Sequence, residues 1–332
     1  MSWLSTRGGR AAVILAIAIA AIAMLAVTGT FSSCSQRQTA RRPSQAVTAA
    51  RPGDYAWVMA KTFAKTVQER PANTWGEIRA RAFIFDAFQQ HSYYPRSQEF
   101  IVTRSGERVH SANIIAVKQG DTSRQLVVGA HYDSAPVGEG YSDNASGIGL
   151  LLEMAGRLQP QATPYTLVFV AFGAEEKGML GASHYVRSLS EEEEAATLGM
   201  IDLDAVAGGD ELSVTSHPDA PGWLRDTVLT VADQLGIALG TTPEDPPLEA
   251  GESDAPADSR PFGLAGMPTA TLSSGSAAGR TTRATATEKL WHTPRDTVSH
   301  VEDAYPGRVR AQQHDLARIL EVLLTSKLEK TT

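Results

Sequence analysis

The chain has 332 residues, is 42% hydrophobic and carries 37 acids against 30 bases, a formal charge of −7 spread along its length. That is enough apolar material for one large α/β domain with a full core plus appendages, and it excludes a chain that is disordered throughout. No basic stripe with interleaved aromatics occurs, which excludes nucleic acid as the expected partner, and the single cysteine, Cys34, excludes an intrachain disulfide, a redox pair and a cysteine-built zinc site.

Arg7 and Arg10 precede seventeen uncharged residues, Ala11 to Val27, and small and polar residues then lead to Cys34. A positive flank stays in the cytoplasm while an apolar run enters the bilayer, so residues 1–34 are expected to be a signal peptide or a membrane anchor. The folded part is then extracytoplasmic, either periplasmic or secreted. The run lies at the low edge of the roughly 17–25 residues that span a membrane, so its length does not separate cleaved signal from retained anchor. A third outcome is a lipid anchor on Cys34. The run Phe31-Ser32-Ser33-Cys34 resembles a bacterial lipoprotein cleavage site, with Phe31 where an aliphatic residue is usual; an inert cysteine is the alternative. Residues 35–54, rich in Gln, Arg, Ser, Thr and Pro, read as a flexible tether before a folded domain at 55–328.

Apolar residues at helical spacing predict two helices, Tyr55–Val67 and Thr74–Phe88. Short apolar or alternating runs bounded by turn residues then predict strands at Glu99–Thr103, Asn113–Val117 and Gln125–Ala130. A helix from Ala145 to Leu158, a strand from Thr166 to Phe172, a helix from Gly178 to Leu189 and strands at Leu198–Leu203 and Leu212–Thr215 follow. The last elements are a helix at Gly222–Leu235, a strand at Thr269–Ser273 and a closing helix at Gly307–Leu324. This order gives a mixed sheet with helices on both faces. Two segments read as long loops that serve either as lids or as solvated insertions: 241–261, with six acids among prolines, and the Gly/Ala/Thr/Ser-rich 273–287. If the acidic one is a lid, basic terminal residues are the preferred substrates.

The stretch from Val127 to Gly181 organises the rest. One apolar run delivers His131 and Asp133, a Gly/Ser/Asn loop carries Asp143, and a second apolar run ends at Glu175-Glu176. Donors placed at the ends of successive strands lie on the edge of a parallel sheet where sites form. Imidazole and carboxylate suit zinc, and a bridging carboxylate such as Asp143 can hold two ions about 3.5–4 Å apart, so the pattern points to a metal site built for hydrolysis.

Five motifs in order make the resemblance specific: His-Tyr-Asp-Ser from His131, Ser-Asp-Asn-Ala-Ser-Gly from Ser142, Ala-Phe-Gly-Ala-Glu-Glu-Lys-Gly from Ala171, Ile-Asp-Leu-Asp-Ala-Val-Ala-Gly from Ile201 and Trp-His-Thr-Pro-Arg-Asp-Thr from Trp291. Over about Tyr55 to Leu324 the chain resembles the M28 metallopeptidases, the co-catalytic di-zinc aminopeptidases. It is most similar to the bacterial branch that includes the alkaline phosphatase isozyme conversion aminopeptidase. The resemblance implies a three-layer α/β/α sandwich with a mixed, mostly parallel sheet. It puts His131 and Asp204 on one zinc, Glu176 and His292 on the other, Asp143 across both, and Glu175 as general base. The substrates it implies are peptide or protein N-termini.

Several residues compete for these roles. Asp133, two positions beyond His131, is placed to accept the imidazole's free N–H and fix its tautomer, whether or not the imidazole holds a metal. Asp202 and Asp204 share one face of a strand; Asp204, at its end, is preferred as the ligand, with a supporting role left for Asp202. His292 is preferred to His300 because it opens His-Thr-Pro-Arg-Asp. The other histidines are expected to be structural or solvated, and Glu191–Glu194 to be a solvated helix end. One departure concerns the family's Ser-Asp-His: here Ala257-Asp258-Ser259 has no histidine, with Ser253-Asp254 as an alternative register. The rival readings are a carboxypeptidase or glutaminyl cyclase on the same scaffold, or a binding domain that has lost catalysis.

Overall fold

The structure is a computed structural model that describes residues 47–241, 257–275 and 290–328. The expected leader, residues 35–46 of the tether, 242–256 and 276–287 of the two long loops, and residues 288 and 289 lie outside the described residues. Among the described residues no helix is long and apolar enough to cross a membrane.

The alternating apolar runs pair into a seven-stranded sheet: β1 (Arg96–Arg104), β2 (Glu107–Lys118), β3 (Gln125–His131), β4 (Thr166–Phe172), β5 (Thr197–Leu203), β6 (Glu211–Thr215) and β7 (Thr269–Gly275), in the order β1-β2-β4-β3-β5-β7-β6. The central strands β4, β3, β5 and β7 run parallel, and β1, β2 and β6 join antiparallel at the margins. The sheet is thus mixed, with its parallel part in the middle. β3 and β4 are buried on both faces, which is why they read as continuous apolar runs rather than alternating ones.

The period of two divides those runs between two layers. Leu126, Val128, Ala130, Leu167, Phe169 and Ala171 join the large core under α1 (Asp54–Val67), α2 (Trp75–Gln90), α3 (Ser146–Leu158), α6 (Trp223–Gln234), α8 (Val298–Ala304) and α9 (Arg308–Thr325). Val127, Val168, Val170 and Phe172 face the opposite layer, α4 (Leu180–Arg187) and α7 (Ser259–Leu264). Helices on both sheet faces make the three-layer sandwich. The remaining short helix, α5 (Glu191–Ala196), is where the four glutamates fall: Ser190 and Glu193 form a capping box, so the run starts a helix of its own and is exposed.

All thirteen residues of α3 are buried. Gly149 permits this, because a Cβ there would collide with the Ala56 carbonyl of α1. In return Glu153 of α3 accepts from the N–H groups of Gly53 and Ala56 at 2.7 Å each, satisfying the orphan donors at the start of α1. Arg157, one turn on, donates to the carbonyls of Val47 and Ala50 at 3.1 Å. Residues 47–54, which read as tether, therefore pack on the domain, with Val47 buried.

Candidate metal centre

β3 leads into α3 on one face of the sheet, whereas the adjacent β4 leads into α4 on the other. Their outgoing loops therefore part at the carboxyl ends of the strands, the edge of a parallel sheet where ligand sites form. His131 is the last residue of β3 and pairs with Phe172, so the loop carrying Glu175-Glu176 starts beside it. Asp204 follows directly on β5.

Two ligand groups form there, His131 with Asp143 and Asp204, and His292 with Asp143 and Glu176. His131 Nε2 lies 3.1 Å from Asp143 Oδ1 and 3.3 Å from Asp204 Oδ1. His292 Nε2 lies 3.2 Å from Asp143 Oδ2 and 3.0 Å from Glu176 Oε2. Asp143 thus turns one oxygen to each imidazole. It is held in a tight turn, Tyr141–Ala145, and the Asp143–Asn144 peptide is cis. Asn144 anchors that turn to the end of β5, donating to the Leu203 carbonyl at 2.8 Å and accepting from Ala205 N at 3.2 Å.

Asp133 does more than its spacing suggests. Its carboxylate accepts from the backbone N–H groups of Glu175 at 3.0 Å and Glu176 at 3.2 Å, so it fixes the dipeptide that carries both glutamates. His131 Nδ1 is nearer to the Asp133 carbonyl, at 3.2 Å, than to its carboxylate, at 3.7 Å. Asp296 repeats the device: it accepts from Ser142 N at 2.7 Å and Asp143 N at 3.1 Å. The sequence contained Asp296 inside the His-Thr-Pro-Arg-Asp motif, but only the fold reveals its partners. Both aspartates are buried.

Electrostatics separates the acids. Burial raises the Glu175 carboxyl well above its ordinary value, against the pull of His131 and with Asp258, Asp204 and Asp133 adding to the rise. Burial also raises Glu176, and pushes Asp296 up to about 7. For Asp143 burial is outweighed by His131 and His292, which hold it well below the usual range. His292 is lifted to about 10 by Asp143 and Glu176. Burial opposes charge on His131, yet Asp133, Asp143 and Asp204 outweigh it and raise the imidazole well above 6.5. Positive charge is what this cluster attracts.

The residues fit zinc. Each group offers one imidazole and two carboxylates, a nitrogen and oxygen donor set of the kind that ion accepts. Glu176 Oε1 is buried without a hydrogen-bond partner, an acceptor aimed at nothing in the protein.

The competing residues separate clearly. Asp202 turns away to accept from Ser259 N at 2.9 Å, and burial raises it to about 8. His300 is exposed on α8. His91 is buried with its Nε2 3.0 Å from the Tyr55 hydroxyl, and His184 stacks on Phe100. Where the family's histidine is missing, Ser259 shares a hydrogen bond with Thr271 at 2.7 Å; Ser253 and Asp254 lie outside the described residues. Beside it, Asp258 is buried with both carboxyl oxygens unpartnered, and burial and Asp202 raise it well above its ordinary value. No spacing in the sequence pointed to that pair.

Residues 113–317 match the model of peptidase family M28. The chain belongs to this family. It is 30% identical to the alkaline phosphatase isozyme conversion protein of Escherichia coli, over 81% of this chain and 89% of that protein. It is 33% identical to aminopeptidase YwaD of Bacillus subtilis over 67% of this chain, which spans 47% of that longer protein. Among solved structures, a zinc aminopeptidase from Bacillus subtilis superposes with a TM-score of 0.69 at 18% identity, covering 84% of this chain and 96% of that one. A glutaminyl cyclase from Tannerella forsythia does so with 0.65 at 19%, covering 83% and 98%. At such identities the two structures speak for the fold of this M28 chain alone.

Proposed function

We propose that this chain is an exported aminopeptidase that removes residues from peptide or protein N-termini, using two zinc ions and Glu175 as the proton acceptor. Its class, a metallo-aminopeptidase hydrolase, follows from the family and from the aminopeptidases it resembles. The finer reading is carried by one observation: the Asp143 carboxylate belongs to both ligand groups, one oxygen toward each.

His131, Asp143 and Asp204 would hold one ion, and Asp143, Glu176 and His292 the other. Such ions supply Lewis acidity toward a scissile carbonyl and toward water. Glu175, beside Glu176 on the clamped dipeptide, has a carboxyl whose raised pKa suits taking a proton from water and passing it to the leaving amine. Asp133 holds that carboxyl in place through the backbone, and Asp296 does the same for Asp143. The surplus of carboxylates favours the ammonium of a free N-terminus. Export is supported by the charged and apolar leader, with Cys34 as a point for lipid attachment.

Glu175→Gln tests the reading. The variant should keep both ions by mass spectrometry and lose roughly 100-fold to 10⁴-fold in kcat; near-normal turnover removes the assignment. The likeness to a glutaminyl cyclase makes cyclisation the second reading. Peptides incubated with the enzyme separate the two: shortening by one residue supports the aminopeptidase, and loss of ammonia without shortening supports the cyclase.

A further inference from the structure

Arg70 is fully buried, and among the described residues its guanidinium makes no ion pair. Every polar contact of that fork is to a backbone carbonyl. Nε donates to Tyr132 at 2.6 Å, Nη1 to Gln68 at 3.1 Å and Glu139 at 2.6 Å, and Nη2 to Gly140 at 2.7 Å. The face of Phe63 lies 4.8 Å from the guanidinium carbon, and the Arg70 N–H donates to Ser134 Oγ at 3.2 Å. Burial lowers its pKa only to about 10, so the group remains a cation at neutral pH.

Those carbonyls have a particular place in the chain. Tyr132 follows His131, and Glu139 and Gly140 shortly precede Asp143. One planar group therefore spans both ends of the loop that separates a ligand of one metal group from the carboxylate shared by both. The loop is pressed against it: Gly140 has φ +54°, and a Cβ there would sit 2.9 Å from Arg70 Nη1. A lysine ammonium is a point charge on a flexible stem and cannot make this fork.

We propose that Arg70 is a positioning residue whose guanidinium fixes His131 relative to Asp143, and through them the spacing of the two metal ions. This rests on the two-ion reading above. The simpler role, a buried positive charge that offsets the surrounding acids, would be met equally well by lysine. The choice between guanidinium and ammonium therefore separates geometry from charge.

The experiment uses the full chain loaded with cobalt(II), which these donors also accept, as wild type, Arg70→Lys and Arg70→Ala. Ions per chain are counted by mass spectrometry, the magnetic interaction between paired ions is read by electron paramagnetic resonance, and kcat and KM are measured at saturating metal. The wild type should bind two interacting ions. Arg70→Lys should show an altered interaction and about a 100-fold loss in kcat with KM within about threefold, no better than Arg70→Ala. Refolding Arg70→Ala with guanidinium ion should recover at least about tenfold of the lost kcat, and ammonium should not. An unchanged magnetic interaction with kcat within twofold in Arg70→Lys overturns the proposal, as does equal rescue by ammonium. Should neither variant fold, Phe63→Leu, which removes the ring face that seats the guanidinium and keeps its charge, must alter the magnetic interaction, and an unaltered signal overturns the proposal. A wild type that binds a single ion overturns the two-ion reading itself.

Discussion

The two sides of the candidate metal centre are built differently. His131 and Asp204 stand at the ends of parallel strands in the middle of the sheet, and the His131 side chain is 3% exposed. His292 stands in an irregular segment before α8, has φ +55°, and its side chain is 57% exposed. Asp143 joins the sides, and two buried aspartates each grip two consecutive backbone N–H groups, Asp296 those of Ser142 and Asp143 and Asp133 those of Glu175 and Glu176. On the proposed two-ion reading, a rigid half and an open half sharing one carboxylate would bind the two ions with unequal strength. Enclosure excludes water and fixes donors, and both effects fade toward the open side.

Removing one imidazole at a time is the strongest way to break that comparison. His131→Ala takes the imidazole from the buried Asp133 and the half-buried Asp204 and leaves Asp143 facing His292 alone, so the metal-free protein should lose about 3–5 kcal/mol of stability. His292→Ala removes a largely exposed side chain and should cost under about 1 kcal/mol. Both should lower activity by more than about 100-fold, beyond the effect of losing an outer partner. Denaturant melts of the metal-free proteins give the stabilities, and equal losses would show that the two sides are equally enclosed.

The same division explains what the sequence reveals. The apolar runs ending at His131 and Phe172 identify the strands, and the rule that sites form at the carboxyl edge of parallel strands then points to His131, Asp133 and Glu175-Glu176 before any side chain is placed. No such run precedes His292, which was legible only through its motif. Arg70 and the partners of Asp296 were not legible, because both residues act on backbone groups far away in sequence, 153 positions in the pair Asp143 and Asp296. Periodicity records which face a residue buries, and carries nothing about carbonyls or N–H groups that a distant side chain will find. Likewise α8 is too short, at seven residues, for its period to stand out from its surroundings, whereas the ends of α3 and β4 were read to within one residue.

Asp296→Asn sharpens the comparison from the shared carboxylate. Asparagine keeps the shape but offers one oxygen where two N–H groups require acceptors, and its own NH₂ then faces one of those donors. Since those N–H groups belong to Ser142 and Asp143, the loss should reach both ions alike. Metal titrations should show both affinities weakened by about 10–100-fold. Weakening confined to one ion would mean that Asp143 serves chiefly that side.

The gentlest test leaves the sequence intact. With Asp143 common to both groups, what differs is His131 with Asp204 against His292 with Glu176. In the first pair His131 is enclosed against the Asp133 carbonyl and Asp204 follows the end of β5, whereas the second pair, though Asp133 clamps the Glu176 N–H, presents its imidazole to solvent. A chelator should therefore take one ion first, from the His292 side, in a step separated from the second by roughly tenfold in dissociation constant, about 1.4 kcal/mol. Cobalt(II) returned to the half-empty protein should go to that open side, and the spectrum of the refilled ion should change in His292→Ala while that of the retained ion stays as it was. If both ions leave in one step, Asp143 ties them so tightly that the difference in exposure between the two imidazoles has no energetic consequence.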